Sequence, residues 1–150
     1  YFYIMQKYEK SRGLNIVTQG AASGSGIGDI TFIGSGVTTI AGRVYILKND
    51  GEGVQTWFAA DNNDDGRYEG LLAVALTTNS SGGMLLRGAV TMNDTISQIG
   101  NPVYLSPTPG RVVSAKPTAT GQVIRVLGYG LNVGSNTMYF NPDNTFITLG

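Results

Sequence analysis

Cysteine and histidine are both absent from the 150 residues. Without Cys there is no disulfide, no thiolate nucleophile and no Cys-held metal. Without His the chain lacks the commonest general base and the commonest transition-metal ligand, and its serines have no imidazole to activate them. Charge is scarce too, at 13% of residues, about half the usual share. Ten basic and ten acidic residues cancel to a net charge of +0. No basic field exists to gather phosphates, so nucleic acid is not an expected partner. Long hydrophobic runs are also missing, and none approaches the ~20 apolar residues of a membrane-spanning helix. The acids fall mostly in turn-like contexts, with no pair at the fixed separation that glycoside hydrolysis requires. These absences together argue against an enzyme.

What is present is β pattern. Short β-branched and aromatic runs recur along the chain, each closed by Gly, Pro, Asn or Ser. They include Ile30–Ile33, Val37–Ile40, Arg43–Lys48, Gln55–Ala60, Gly70–Thr77, Gly83–Met92, Pro102–Ser106, Arg111–Ala115, Gln122–Leu131, Met138–Phe140 and Phe146–Leu149. Asn49-Asp50-Gly51 and Asn141-Pro142-Asp143-Asn144 read as turns. Gly70–Thr77 is continuously apolar and of strand length, so it reads as a strand buried on both faces. A break or bulge is expected at Gly88. Alternation in Gln122–Leu131 puts Val123, Arg125, Leu127 and Tyr129 on one face, and Ile124, Val126, Gly128 and Gly130 on the other. The expected fold is all-β: a β-sandwich or β-barrel of about ten short, mostly antiparallel strands with an extended N-terminal arm. No helix longer than about two turns is expected.

The domain division expected is an arm and flexible Gly/Ser-rich linker over 1–28 and a β-domain over 29–150. The arm carries Tyr1, Phe2, Tyr3, Ile4 and Tyr8, an apolar cluster that needs a surface to cover, either its own domain or a partner. The glycines at 24, 26 and 28 do not make a dinucleotide loop: Asp29 breaks the spacing and a strand follows.

Three groups are candidates for chemistry. Asp61, Asn63, Asp65 and Gly66 match the first half of a calcium loop, D-x-[DN]-x-[DN]-G. Glu69 then stands at the ninth position, and the twelfth is Leu72 where the loop needs Glu. Read without a metal, this is a solvated acidic turn, and no cofactor is expected. Arg87, Arg111 and Arg125 lie in expected strands, where they face solvent, find an intrachain partner or pair across a subunit interface. Tyr104, Tyr129, Tyr139, Phe140 and Phe146 make either a sugar-stacking surface or core packing.

One resemblance adds to this. GLLAVALTTN (70–79), GMLLRGAVTM (83–92), GNPVYLSPTPGRVVSAKPTATGQVIRVLGYGL (100–131) and MYFNPDNTFITL (138–149) occur in this order. Over residues 43–150 the chain resembles a module of tailed-phage virion proteins, especially those of phages of cyanobacteria and marine bacteria. Residues 1–42 lie outside it. The resemblance implies a virion structural protein on the capsid exterior: a decoration (cement) protein, a head fibre or the end of a fibre. It implies a major capsid protein as partner, a homo-oligomer with a trimer favoured, no nucleic acid, no membrane, and no catalytic residues. Within it, Gly100 and Gly110 are turn residues, and Pro142 and Asp143 shape the last hairpin. The short chain and its arm favour decoration, with the arm on capsid subunits. The alternative is a fibre-tip domain that binds a host-surface glycan or receptor through a patch around Trp57, Tyr68 or the 61–69 loop.

Overall fold

The computed structural model describes residues 22–63 and 66–150. Among them the regular structure is all β, apart from one 3-10 turn at Ser80–Gly82. The strands are β1 (Gly26–Thr31), β2 (Val44–Asn49), β3 (Gln55–Ala59), β4 (Leu72–Ala75), β5 (Met84–Thr91), β6 (Pro102–Leu105), β7 (Val112–Val113), β8 (Val123–Ile124), β9 (Val126–Asn132), β10 (Thr137–Phe140) and β11 (Ile147–Thr148). Nine of them form one antiparallel sheet in the order β3-β2-β4-β5-β10-β9-β6-β7, with β1 joined to β5. The sheet curls into a half-barrel, and β8 and β11 form a small second sheet.

The sheet forks at β5. Strand β1 runs along one edge of β5, from Gly26 opposite Val90 to Thr31 opposite Met84. The opposite edge is divided. Leu85 and Met84 pair with Val74 and Ala75 of β4, while Gly88 to Thr91 pair with Phe140 to Thr137 of β10. Leu86 and Arg87 lie between, where the two halves of the sheet part.

Strand β1 begins at Gly26, ahead of the expected domain boundary at 28/29, so Gly26, Ile27 and Gly28 are strand residues rather than linker. The expected break at Gly88 is also corrected. Strand β5 runs unbroken through Gly88, and its bulge lies two residues earlier: Asp29 pairs with Arg87 and Ile30 with Leu85, which leaves Leu86 as the extra residue. Gly28 and Gly88 face each other at φ of 152° and 146°. A Cβ on Gly88 would collide with the Ile27 carbonyl oxygen, and one on Gly28 with that of Arg87. Glycine is here for close approach between strands, not to end one.

Val44, Ile46, Val74, Leu85, Val90, Leu105, Leu127, Met138 and Phe140 fill the inside of the curl, all fully buried. A second small core lies behind β2–β4, where Tyr45, Trp57, Ala73, Ala75 and Met84 pack with Val37 and Leu47. The segment 33–40 forms its cover instead of a strand, and its one bridge is Thr38 with Asn79. The Tyr45 hydroxyl accepts the Ile40 N–H at 2.8 Å, and Trp57 Nε1 donates to the Ile33 carbonyl at 3.0 Å. Two covered faces explain why β4 reads as continuously apolar.

The alternation expected in Gln122–Leu131 holds only for its first half. Val123, Arg125 and Leu127 point inward, but Gly128 and Gly130 are also buried and Tyr129 is exposed. Val103 pairs with Gly128 and Tyr104 with Val126, so Leu127 is the extra residue of a bulge and the phase flips there.

The curl is closed by main chain and one amide. Gly110 donates to the Ala60 carbonyl and accepts from Val44. Asn62, fully buried, donates its N–H to Ser106 and its Nδ2 to Leu105, and accepts the Val123 N–H. We expect Gly88→Ala to lower the unfolding free energy by about 2–5 kcal/mol, from positive-φ strain plus the collision with Ile27. Urea unfolding followed by circular dichroism measures this, and a loss under ~1 kcal/mol would show that the strands can separate at no great cost.

Candidate functional site

The fork leaves a cleft between the start of β4 and the end of β10, lined by Asp29, Leu71, Leu86, Arg87, Asn141 and Asn144, with Arg125 at its back. Arg125 sits between β8 and β9 and is 3% exposed. Its Nε donates to the Asp143 carbonyl at 2.8 Å. Its Nη1 donates to the carbonyls of Tyr68 at 2.7 Å and Gly70 at 3.2 Å. Burial pulls its pKa below the usual value, and the fields of Asp143 and Glu69 oppose this. The guanidinium stays charged at neutral pH.

The other two arginines also find intrachain partners. Arg87, on β5, reaches Asp29 of β1 at 3.0 Å, with both side chains largely exposed. Arg111 Nε lies 2.6 Å from Asp94 Oδ1, and Asp94 Oδ2 accepts the Val112 N–H at 3.0 Å. That pair borders an open, hydroxyl-rich groove of about 500 Å³ that includes Ser97, Ser106, Thr108 and Ser114.

The aromatic candidates divide by face. Phe140 is fully buried in the core. Phe146 packs edge-on against Tyr68, with ring centroids 5.2 Å apart. Tyr104 is half-buried. Tyr129 and Tyr139 are exposed and lie directly opposite each other on β9 and β10. On the same row Pro102 pairs with Tyr129, and Ala89 of β5 pairs with Tyr139 and with Ile27 of β1. An apolar row therefore crosses five strands on the outside of the sheet, with Leu131, Val133 and Ile99 exposed nearby along the chain. The patch expected around Trp57 is not there, because Trp57 is 3% exposed and its indole N–H is bonded.

In the candidate calcium loop, Asp61 is buried and its Oδ1 accepts the Asn63 N–H at 3.0 Å. Glu69 offers its carbonyl to Lys48 Nζ at 3.2 Å. Asp65 lies outside the described residues, and no group of three or more acids is gathered among those described. Tyr1, Phe2, Tyr3, Ile4 and Tyr8 also lie outside the described residues. Sequence reasoning missed Asn62, whose position inside an acidic turn hid a residue that closes the barrel wall.

The turn after β10 is built by Asp143. Its Oδ1 accepts the Thr145 N–H at 3.0 Å and the Thr145 hydroxyl at 2.9 Å. These bonds, with a smaller pull from Arg125, hold its carboxyl below the ordinary value. A carboxylate with a depressed folded pKa stabilises the fold above its unfolded pKa of about 3.9, and that contribution vanishes as pH falls through the folded value. The melting temperature of Asp143→Asn should therefore lie below wild type at neutral pH. The gap should close as pH is lowered below ~4 and through the depressed folded value. Thermal melts of both proteins across that range measure it, and a gap independent of pH would assign the effect to amide geometry instead of charge.

Searches against family models, curated proteins and solved structures return no match to this chain.

Proposed function

We propose that the chain is a non-enzymatic structural component of a phage virion, a capsid decoration protein whose N-terminal arm docks on major capsid subunits. The observation that carries the reading is what the resembling motifs do in the fold. GLLAVALTTN supplies β4, GMLLRGAVTM supplies β5, and the long third motif supplies β6 to β9. The motifs supply core, turns and sheet pairing, as expected of a module selected for assembly and not for a reaction. The outer apolar row from Pro102 to Ile27 gives the domain an uncovered face to set against a neighbour, including another copy of itself. An arm and a compact domain that engage two subunits at once would add an avidity term without a large interface at either contact.

The alternative, a fibre-tip domain binding a glycan, draws support from Tyr129 and Tyr139, whose adjacent exposed rings could stack on a sugar.

Cryo-electron microscopy of the virion separates the two. Decoration predicts this domain at icosahedral positions over the shell, and density confined to fibre tips would overturn it. Replacing Tyr1, Phe2, Tyr3, Ile4 and Tyr8 by Ser should weaken binding of the purified protein to capsids by at least about tenfold, the loss expected of buried aromatic anchors. The melting temperature of the β-domain should not change.

A further inference from the structure

The cleft at the fork holds an unusual charge. Arg125 is 3% exposed, yet among the described residues no carboxylate oxygen lies within ion-pair distance of it. Three backbone carbonyls hold its Nε and Nη1. Its Nη2 makes no hydrogen bond to any described residue. The carboxylates of Asp143 and Glu69 act on it only through their fields; carbonyl dipoles orient a guanidinium but do not neutralise it, and a buried charge with no counter-ion in contact is expensive to keep. The nearest charge of opposite sign on the cleft wall, Asp29, is already engaged by Arg87.

We propose that this cleft is a binding site for a carboxylate, either that of a small organic acid or that of an acidic sugar. Arg125 Nη2 supplies two N–H donors at the back of the site. The side-chain amides of Asn141 and Asn144 line the cleft, and neither is hydrogen-bonded to another described residue. Leu71, Leu86 and Pro142 give the apolar wall against which the carbon frame of the acid lies. A cavity of about 240 Å³ has room for a molecule of a few heavy atoms or for one acidic sugar at its mouth. The backbone carbonyls fix the plane of the guanidinium before any ligand arrives, so little side-chain entropy is lost on binding. Carboxylate specificity follows from pairing a buried cation with neutral amides: a neutral isostere would leave the charge unmet.

The site is independent of the decoration reading, since it depends only on the fork and not on where the protein sits. Its test is a nuclear magnetic resonance titration of the intact protein with acetate, glucuronate and acetamide. The signals to follow are the Arg125 Nε–H and the side-chain amides of Asn141 and Asn144. Acetate or glucuronate should give saturating shifts at these groups, and acetamide should give none. Tighter binding of glucuronate than of acetate would identify the acidic sugar as the source, and the reverse order would identify the free acid. Asn141→Asp places a carboxylate inside the cleft and leaves every Arg125–carbonyl bond untouched. It should weaken acetate and glucuronate binding at least about tenfold while the protein stays folded. Equal response to acetate and acetamide, no saturation by either acid, or wild-type affinity in Asn141→Asp would each overturn the proposal.

Discussion

The Arg125 guanidinium is the constraint on which the open side of the molecule depends. Arg125 lies between two strands that belong to different sheets, and its backbone carbonyl accepts from Leu105. Its side chain ties the loop before β4, through Tyr68 and Gly70, to the turn after β10, through Asp143. These segments flank the place where β4 and β10 diverge. Without a tie there, the two halves of the sheet would be joined by β5 on one side and by the Asn62 closure on the other, with only the Tyr68–Phe146 ring contact spanning the fork. Burying a guanidinium for this purpose is costly, and the three carbonyls offset part of that cost in hydrogen bonds.

The rest of the architecture follows from how few residues are spent on it. A chain of 150 residues builds two cores from one curled sheet because β2, β3 and β4 are covered on both faces. The outer face of β9 and β10 is left uncovered and apolar. Such a face is a liability for a free protein and an asset for one held in a fixed array. Low charge fits the same life, since copies packed at close spacing must not repel. Both properties support the proposed assembly role.

Much of the fold was legible in the sequence. Strand runs such as Val44–Asn49 and Val103–Leu105 are β-branched or aromatic and end at clear turn residues, so local pattern and tertiary structure agree. The doubly buried β4 could be read from its unbroken apolar run. What could not be read was anything set by partners far along the chain. Gly88 looked like a break because its reason for being glycine, Gly28, is distant in sequence. The bulge at Leu127 reverses which residues face inward, and period alone does not reveal a bulge. Arg125 was legible as a strand residue sharing a face with Val123 and Leu127, but not as a guanidinium caged by carbonyls, because carbonyls leave no trace in residue identity. Likewise Asn62 was hidden within an acidic pattern whose flanking residues looked more like chemistry. The site was therefore harder to read than the fold, since its donors and acceptors are mostly backbone.

Amide hydrogen exchange on Arg125→Lys against wild type tests the central claim most directly. A lysine keeps the charge but cannot reach the carbonyls on both sides at once. If Arg125 is the tie across the fork, protection should fall together at Asp61 and Leu47, which bond to the 67–71 segment, and at Asp143 and Leu149 on the other side. Amides of β5 and β10 in the closed core should keep theirs. Unchanged protection on both sides, or a loss confined to one of them, would contradict the claim and leave the fork held by β5, Asn62 and the Tyr68–Phe146 contact.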